Sequence, residues 1–169
     1  MSKSRFPFPR YPNGWFQVAY SDELAVGAAI PVEYFGKHMV LFRGEDGKPH
    51  LLDAYCPHLG AHLGYGGKVV GNCIKCPFHA WKFDGSGQCV EVPYSQIIPP
   101  KAKVKTAWNI EEKNGLILAW HHLQGKAPEW TVPVNEEYEH DLWTPYDRRR
   151  WKIKTHNQEM AENAVDSAH

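Results

Sequence analysis

The sequence predicts an all-β fold, an antiparallel sandwich or barrel, with the start of an α+β unit behind it. Three observations carry this reading. Short runs rich in Val, Ile and aromatic residues recur from residue 15 to residue 120, parted by glycine-containing turns. Helical periodicity is almost absent ahead of residue 159. Seven Trp, eight Tyr and seven Phe supply large fillers for a sheet-built core.

Residues 1–14, MSKSRFPFPRYPNG, hold three prolines and no period, and read as an irregular lead-in. Trp15 to Tyr20 has strand composition. Val32 to Phe35 and His38 to Arg43 make a hairpin across Gly36-Lys37. The turn Glu45-Asp46-Gly47-Lys48 leads to a strand from His50 to Ala54, which delivers the chain to Cys56. Further strands follow at Lys68 to Val70, Asn72 to Ile74, Trp81 to Phe83 and Gln88 to Val92. Val104 to Glu111 and Leu116 to Trp120 pair across Lys113-Asn114-Gly115. Residues 126–145 bring Pro128, Pro133, Pro145 and scattered acids, the composition of a linker. Residues 146–169 then read as a strand, Trp151 to Lys154, and a helix, Glu159 to Ala168, capped by Asn157 or Thr155.

Nineteen basic and nineteen acidic residues cancel, so no global field draws the chain to nucleic acid or anionic lipid. No apolar run suits a membrane span, and Met1 to Gly14 lacks the core of a signal peptide. Four cysteines argue against a disulfide framework once two are assigned to metal. Cys73 and Cys89 read as small buried hydrophobes. The expected setting is a reducing cytoplasm.

The chemistry concentrates in CPHLGAHLGYGGKVVGNCIKCPFH, residues 56–79. Cys56-Pro57-His58 is followed, after seventeen residues, by Cys76-Pro77-Phe78-His79. Each half puts two metal ligands and a proline into one tight turn. Two thiolates and two imidazoles so spaced suit a [2Fe–2S] cluster, with Cys56 and Cys76 on one iron and His58 and His79 on the other. Glycines at 60, 64, 66 and 67 let the first loop close around an inorganic core. The alternative is structural zinc, which also takes two Cys and two His, although its sites usually start from C-x2-C or end in H-x3-5-H. A rival set of Cys73, Cys76 and His79 contains C-x2-C but leaves Cys56 and His58 unused.

In motif and layout, residues 15–125 resemble the Rieske family. The resemblance implies a Rieske-type antiparallel β sandwich with two cluster-binding loops. Respiratory members carry an extra Cys in each loop, joined as a disulfide; the matching residues here are Ala61 and Phe78. Those members also place Ser and Tyr hydroxyls after the second His, where this chain has Ala80-Trp81-Lys82-Phe83. Fewer donors to sulfur mean a lower potential, so the resemblance is to the branch near about −150 mV. That branch holds oxygenase ferredoxins and terminal oxygenases.

The last residues, ENAVDSAH, match the E-N-x-x-D-x-x-H segment that opens the catalytic domain of Rieske non-haem iron oxygenases. By that resemblance His169 is the first His of a mononuclear Fe(II) site of the two-His, one-carboxylate kind. Asp166 is then a bridging carboxylate, bonded to an iron-bound His and to His79 across a subunit boundary in a head-to-tail homotrimer. Without the resemblance, the segment is an ordinary polar helix face. The second His and the third ligand are absent from these 169 residues, so the chain is expected to be the front of a longer protein, with no oxygenase activity alone.

The run from His58 to Tyr94, then IPPKAKVKTAW and Trp120-His121-His122 after the last strand, resembles the cholesterol 7-desaturases and bacterial 3-ketosteroid 9α-hydroxylases. This implies a small, hydrophobic, steroid-like substrate and electrons from a ferredoxin or a flavin/iron–sulfur reductase. The animal desaturases have an amino-terminal membrane segment that this chain lacks, which favours the hydroxylase-like reading. A stand-alone Rieske ferredoxin, an electron carrier without catalytic iron, is the alternative. Among other residues, His62 fits no ligand slot and is assigned to a loop surface. His121 and His122 read as packing or surface residues, and Arg148 to Arg150 as a solvated or partner-facing cluster. Trp81 and Lys82 are expected to border the imidazole edge where a donor docks.

Overall fold

The computed structural model describes residues 8–138 and 140–166. Ten antiparallel strands among them form three small sheets. The first joins β1 (Gly14–Tyr20), β10 (Leu116–His121) and β9 (Ile110–Lys113), in that order. The second runs β2 (Ala29–Tyr34), β3 (Lys37–Arg43), β4 (Pro49–Asp53). The third runs β5 (Lys68–Val70), β6 (Cys73–Lys75), β7 (Lys82–Phe83), β8 (Cys89–Glu91).

The middle sheet faces two cores. Its central strand carries Met39-Val40-Leu41-Phe42, each 0% exposed. Successive side chains on a strand point to opposite faces, so Val40 and Phe42 join Leu52, Ile74, Phe83 and Cys89 on one side. Met39 and Leu41 join Val18, Leu51, Ile117 and Ala119 on the other. An unbroken apolar run marks a strand buried on both faces, and burying each such side chain stabilises the fold by about 1.5–3 kcal/mol. The expected sandwich is thus built from three sheets that share their middle layer.

One extended stretch laces the three sheets together. Cys89 N donates to Ala102 O, and Val104 N to Gly87 O, beside the third sheet. Asp53 N then donates to Thr106 O, and Trp108 N to Leu51 O, beside the second. Ile110 finally pairs with Ala119 in the first. The expected single strand from Val104 to Glu111 is therefore divided: its backbone stays extended, but its partners change every few residues.

The β2–β3 turn sits at Phe35-Gly36, with φ of 54° and 67°, one residue ahead of the expected position. Phenylalanine rarely adopts a left-handed backbone. Here its ring is held against His121, centroids 4.5 Å apart, and Trp108, 5.4 Å apart. Asn114-Gly115, with φ of 54° and 69°, closes the β9–β10 hairpin as the Asn-Gly pair predicts.

A buried cation ties the first two sheets. Arg43 donates from Nη2 and Nη1 to the two Glu112 carboxylate oxygens at 2.6 and 2.8 Å, and from Nε to Leu24 O at 2.7 Å.

Residues 126–145 lie against the first sheet. Trp15 Nε1 donates to Trp130 O at 2.8 Å, Lys113 Nζ to Val132 O at 2.8 Å and Asn114 Nδ2 to Pro133 O at 2.9 Å. Beyond them Trp151 to Lys154 is not a strand; its apolar residues find no neighbouring edge among the described residues to pair with. The helix α1 spans Asn157–Val165 and is capped by His156, whose Nδ1 accepts from Gln158 N at 3.1 Å. Thr155 instead bonds the Glu159 carboxylate.

Candidate metal centre

Two loops of the same construction meet at one end of the third sheet. In the first, Cys56 N donates to Ala61 O at 2.9 Å and Gly60 N to Cys56 O at 2.9 Å. In the second, Cys76 N donates to Trp81 O at 2.8 Å and Ala80 N to Cys76 O at 3.1 Å. Each frame spans from the cysteine to the fifth residue after it and turns through a left-handed residue at the fourth. Gly60 has φ of 74°, and Ala80 has φ of 59°. Glycine takes that conformation freely, whereas alanine does so at a cost of about 1–2 kcal/mol. At Gly67 a side chain is excluded for another reason: its Cβ would run into the Leu63 carbonyl.

Cys56 and Cys76 are both 3% exposed and lie close enough to interact. Burial pushes the Cys56 thiol up to about 11, with Cys76 beside it adding to the rise. The backbone N–H groups of His58 and Leu59 pull the other way. Without metal this thiol stays protonated at neutral pH, so loading a metal there releases a proton. The His58 and His79 rings stand 4.6 Å apart at 71°. His79 is exposed and His58 half-buried.

The four side chains are thus laid out as a buried sulfur pair and an outer imidazole pair. A lone zinc needs all its ligands on one tetrahedron, whereas a two-iron rhomb takes one pair at each end. The donor set and its division fit a [2Fe–2S] cluster that Cys56, Cys76, His58 and His79 could hold.

The surroundings differ from expectation at Trp81. It does not border the imidazole edge but lies beneath His58, 7% exposed, with ring centroids 4.5 Å apart and planes 4° from parallel. Its Nε1 donates to the Tyr94 hydroxyl at 2.7 Å. Tyr94 stands thirteen residues away in sequence, and nothing in the sequence marked it as a neighbour of the loops. Lys82 lies on the outer face of its strand and pairs with Glu91 at 2.6 Å. The loop tips Leu59 and Phe78 are 65% and 68% exposed.

His62 is half-buried among Tyr55, Tyr65 and His38 rather than on the surface. Its Nδ1 accepts from Gly64 N at 3.1 Å. His121 packs on Phe35, and His122 on Trp120. Cys89 is buried in the core; Cys73 is only half-buried, on the outer face with Lys75. Arg148 and Arg150 pair within the chain, with Asp22 at 2.7 Å and Glu23 at 2.6 Å. Both also lie over the Tyr20 ring. Asp166 follows α1 as its C-terminal cap, since the helix ends at Val165 rather than continuing to Ala168. His169 lies outside the described residues.

A family model described as the Rieske [2Fe–2S] domain matches residues 14–104. The chain belongs to the Rieske family, whose domain binds a [2Fe–2S] cluster. A second model, the 3-ketosteroid 9alpha-hydroxylase C-terminal domain, matches residues 119–169. Among curated relatives, a cholesterol 7-desaturase of Ciona intestinalis is 44% identical over 161 residues, 95% of this chain and 34% of that protein. A protein of Rhodococcus rhodochrous named "Probable 3-ketosteroid-9-alpha-monooxygenase, oxygenase component" is 40% identical over 96% of this chain and 41% of its own length. The crystal structure of apo dicamba monooxygenase superposes with a TM-score of 0.65 at 30% identity, over 72% of this chain and 37% of that one. This chain therefore spans about a third of the length of the first of these relatives.

Proposed function

We propose that this chain is the electron-transfer portion of a Rieske non-haem iron oxygenase acting on a steroid-like substrate. Cys56 and Cys76 hold one iron of the cluster, and His58 and His79 hold the other. The observation that carries this is the paired layout, thiols inside and imidazoles outside. When bound, the cluster supplies one-electron transfer and a mononuclear iron supplies dioxygen activation.

The chain's own residues do the rest. The two loop frames fix the cysteines, Trp81 fixes the plane of His58, and the exposed His79 ring presents an N–H to a partner. Asp166, in ENAVDSAH, would accept that N–H from a neighbouring copy in a homotrimer and a second from His169, orienting both imidazoles. The steroid class follows from the desaturase and ketosteroid monooxygenase relatives, whose identities of 44% and 40% do not separate the two chemistries. The electron donor is a ferredoxin or reductase. No helix among the described residues is long and apolar enough to cross a membrane. A stand-alone ferredoxin would have no use for the match over residues 119–169.

The test has two arms. Protein reconstituted with iron and sulfide should be red-brown and give a rhombic EPR signal on reduction, lost in Cys76→Ser and His79→Ala. A colourless zinc protein would overturn the site. In a polypeptide of the relatives' length, Asp166→Asn should keep the cluster signal while slowing turnover of a 3-ketosteroid or cholesterol about 10–100-fold. Unchanged turnover would overturn the bridging role.

A further inference from the structure

Strands β5, β6 and β7 set three lysines in one row. Lys68 stands opposite Lys75, and Lys75 opposite Lys82, with Glu91 of β8 at the end. Residues paired in register share a face of the sheet. The alternate face of these strands, carrying Val69, Ile74, Phe83 and Cys89, packs into the core, so the lysine row points outward. Lys82 reaches Glu91, while Lys68 and Lys75 form no ion pair with any described residue.

Like charges directly opposite one another weaken a sheet, and nothing in the packing of this one calls for them. Their position is telling. Lys68 opens the strand after the first ligand loop, Lys75 immediately precedes Cys76, and Lys82 follows the second loop. The row is the one nearest the metal centre. Beside β8, Lys101, Lys103 and Lys105 are exposed while Ala102 and Val104 between them are buried, which extends the basic face along the sheet edge. The whole chain is neutral, so this excess is local.

We infer that the lysine row is the docking surface for an acidic electron-donor protein, an inference that rests on the electron-transfer reading above. The lysines form a charged rim that steers and orients the donor. An acidic protein is the occupant because lysines outnumber Glu91, the one acid in the row, and because the row points outward and runs beside the ligand Cys76.

The probe is a reduced acidic plant-type [2Fe–2S] ferredoxin, mixed with the reconstituted chain in a stopped-flow instrument. In low salt Lys68→Glu with Lys75→Glu should slow cluster reduction about tenfold or more, and its rate should lose most of its dependence on ionic strength. The matched change Lys37→Glu with Lys126→Glu, at a second basic spot away from this sheet, should have little effect. Reduction by a neutral deazaflavin radical should be equal in all forms, which separates loss of docking from loss of the cluster. Should charge reversal disturb folding, Lys68→Gln with Lys75→Gln is expected to slow the ferredoxin about threefold with an unchanged visible spectrum. Equal slowing in the control pair, or none in the lysine row, overturns the inference. Absence of any reducible cluster in the unaltered chain would instead sink the reading beneath it.

Discussion

His58 lies flat on Trp81, with ring centroids 4.5 Å apart and planes 4° from parallel. The indole is anchored at its far end by the bond to Tyr94, so the imidazole rests on a fixed floor. Trp81→Ala removes both the floor and a buried aromatic, at an expected cost of roughly 3–5 kcal/mol. Tyr94→Phe should cost about 1 kcal/mol or less and leave the visible spectrum of the reconstituted protein unchanged. Urea unfolding and absorption spectra check both.

The matching loop frames allow an exchange experiment at their left-handed residues. Ala80→Gly relieves the backbone at φ 59° and should stabilise the protein by about 0.5–1 kcal/mol after the greater entropy of the unfolded glycine is counted. Gly60→Ala meets no atom within 4 Å, so its cost is conformational alone, about 1 kcal/mol. A β-branched residue at either position should cost more. Denaturant midpoints at constant m-value read the differences.

Acid should loosen the joint between the first two sheets. The Arg43 guanidinium, bonded to both carboxylate oxygens, holds the Glu112 pKa below its ordinary value of 4.5. A depressed carboxylate contributes stability that is present above the unfolded pKa and lost as pH falls through the folded one. The decline in stability below about pH 4.5 should therefore be shallower in Glu112→Gln than in the unaltered chain. At neutral pH that substitution should cost roughly 2 kcal/mol, toward the lower part of the range for bonds to charged groups, because the Glu112 side chain remains 29% exposed.

The tether formed by Arg148 and Arg150 on Tyr20, Asp22 and Glu23 is held at the surface, where salt screens it. Arg148→Ala with Arg150→Ala should speed chymotryptic cleavage after Trp151 severalfold without lowering the unfolding midpoint of the β core. Raising ionic strength should reproduce part of that effect in the unaltered chain.

Much of this architecture could be read from the residues because local pattern and tertiary demand agree. Met39 to Phe42 announces a doubly buried strand, Asn114-Gly115 a tight hairpin, and the Cys-Pro-His and Cys-Pro-Phe-His steps two matching turns. Reading stopped where the outcome depends on distant partners. Residues 104–111 look like one strand because the backbone is extended throughout, yet the hydrogen-bond partners are set by three different sheets. Trp151 to Lys154 has strand composition but no edge to join among the described residues. His156 caps the helix because its Nδ1 reaches the Gln158 N–H, a role usually sought in Ser, Thr, Asp or Asn. Trp81 follows a ligand in sequence, which points to the rim, whereas its ring turns inward to reach Tyr94.

Both loops take their shape from peptide groups bonded to peptide groups, and their tips contribute nothing to that scaffold. The Leu59 side chain is accordingly open to replacement without disturbing the grip behind it, whereas the Phe78 ring meets His79 edge-on at 5.1 Å. Such a layout separates what the outer surface of the loop meets from the assembly of the prosthetic group. Change at Leu59 alters that outer surface while the inner coordination stays the same.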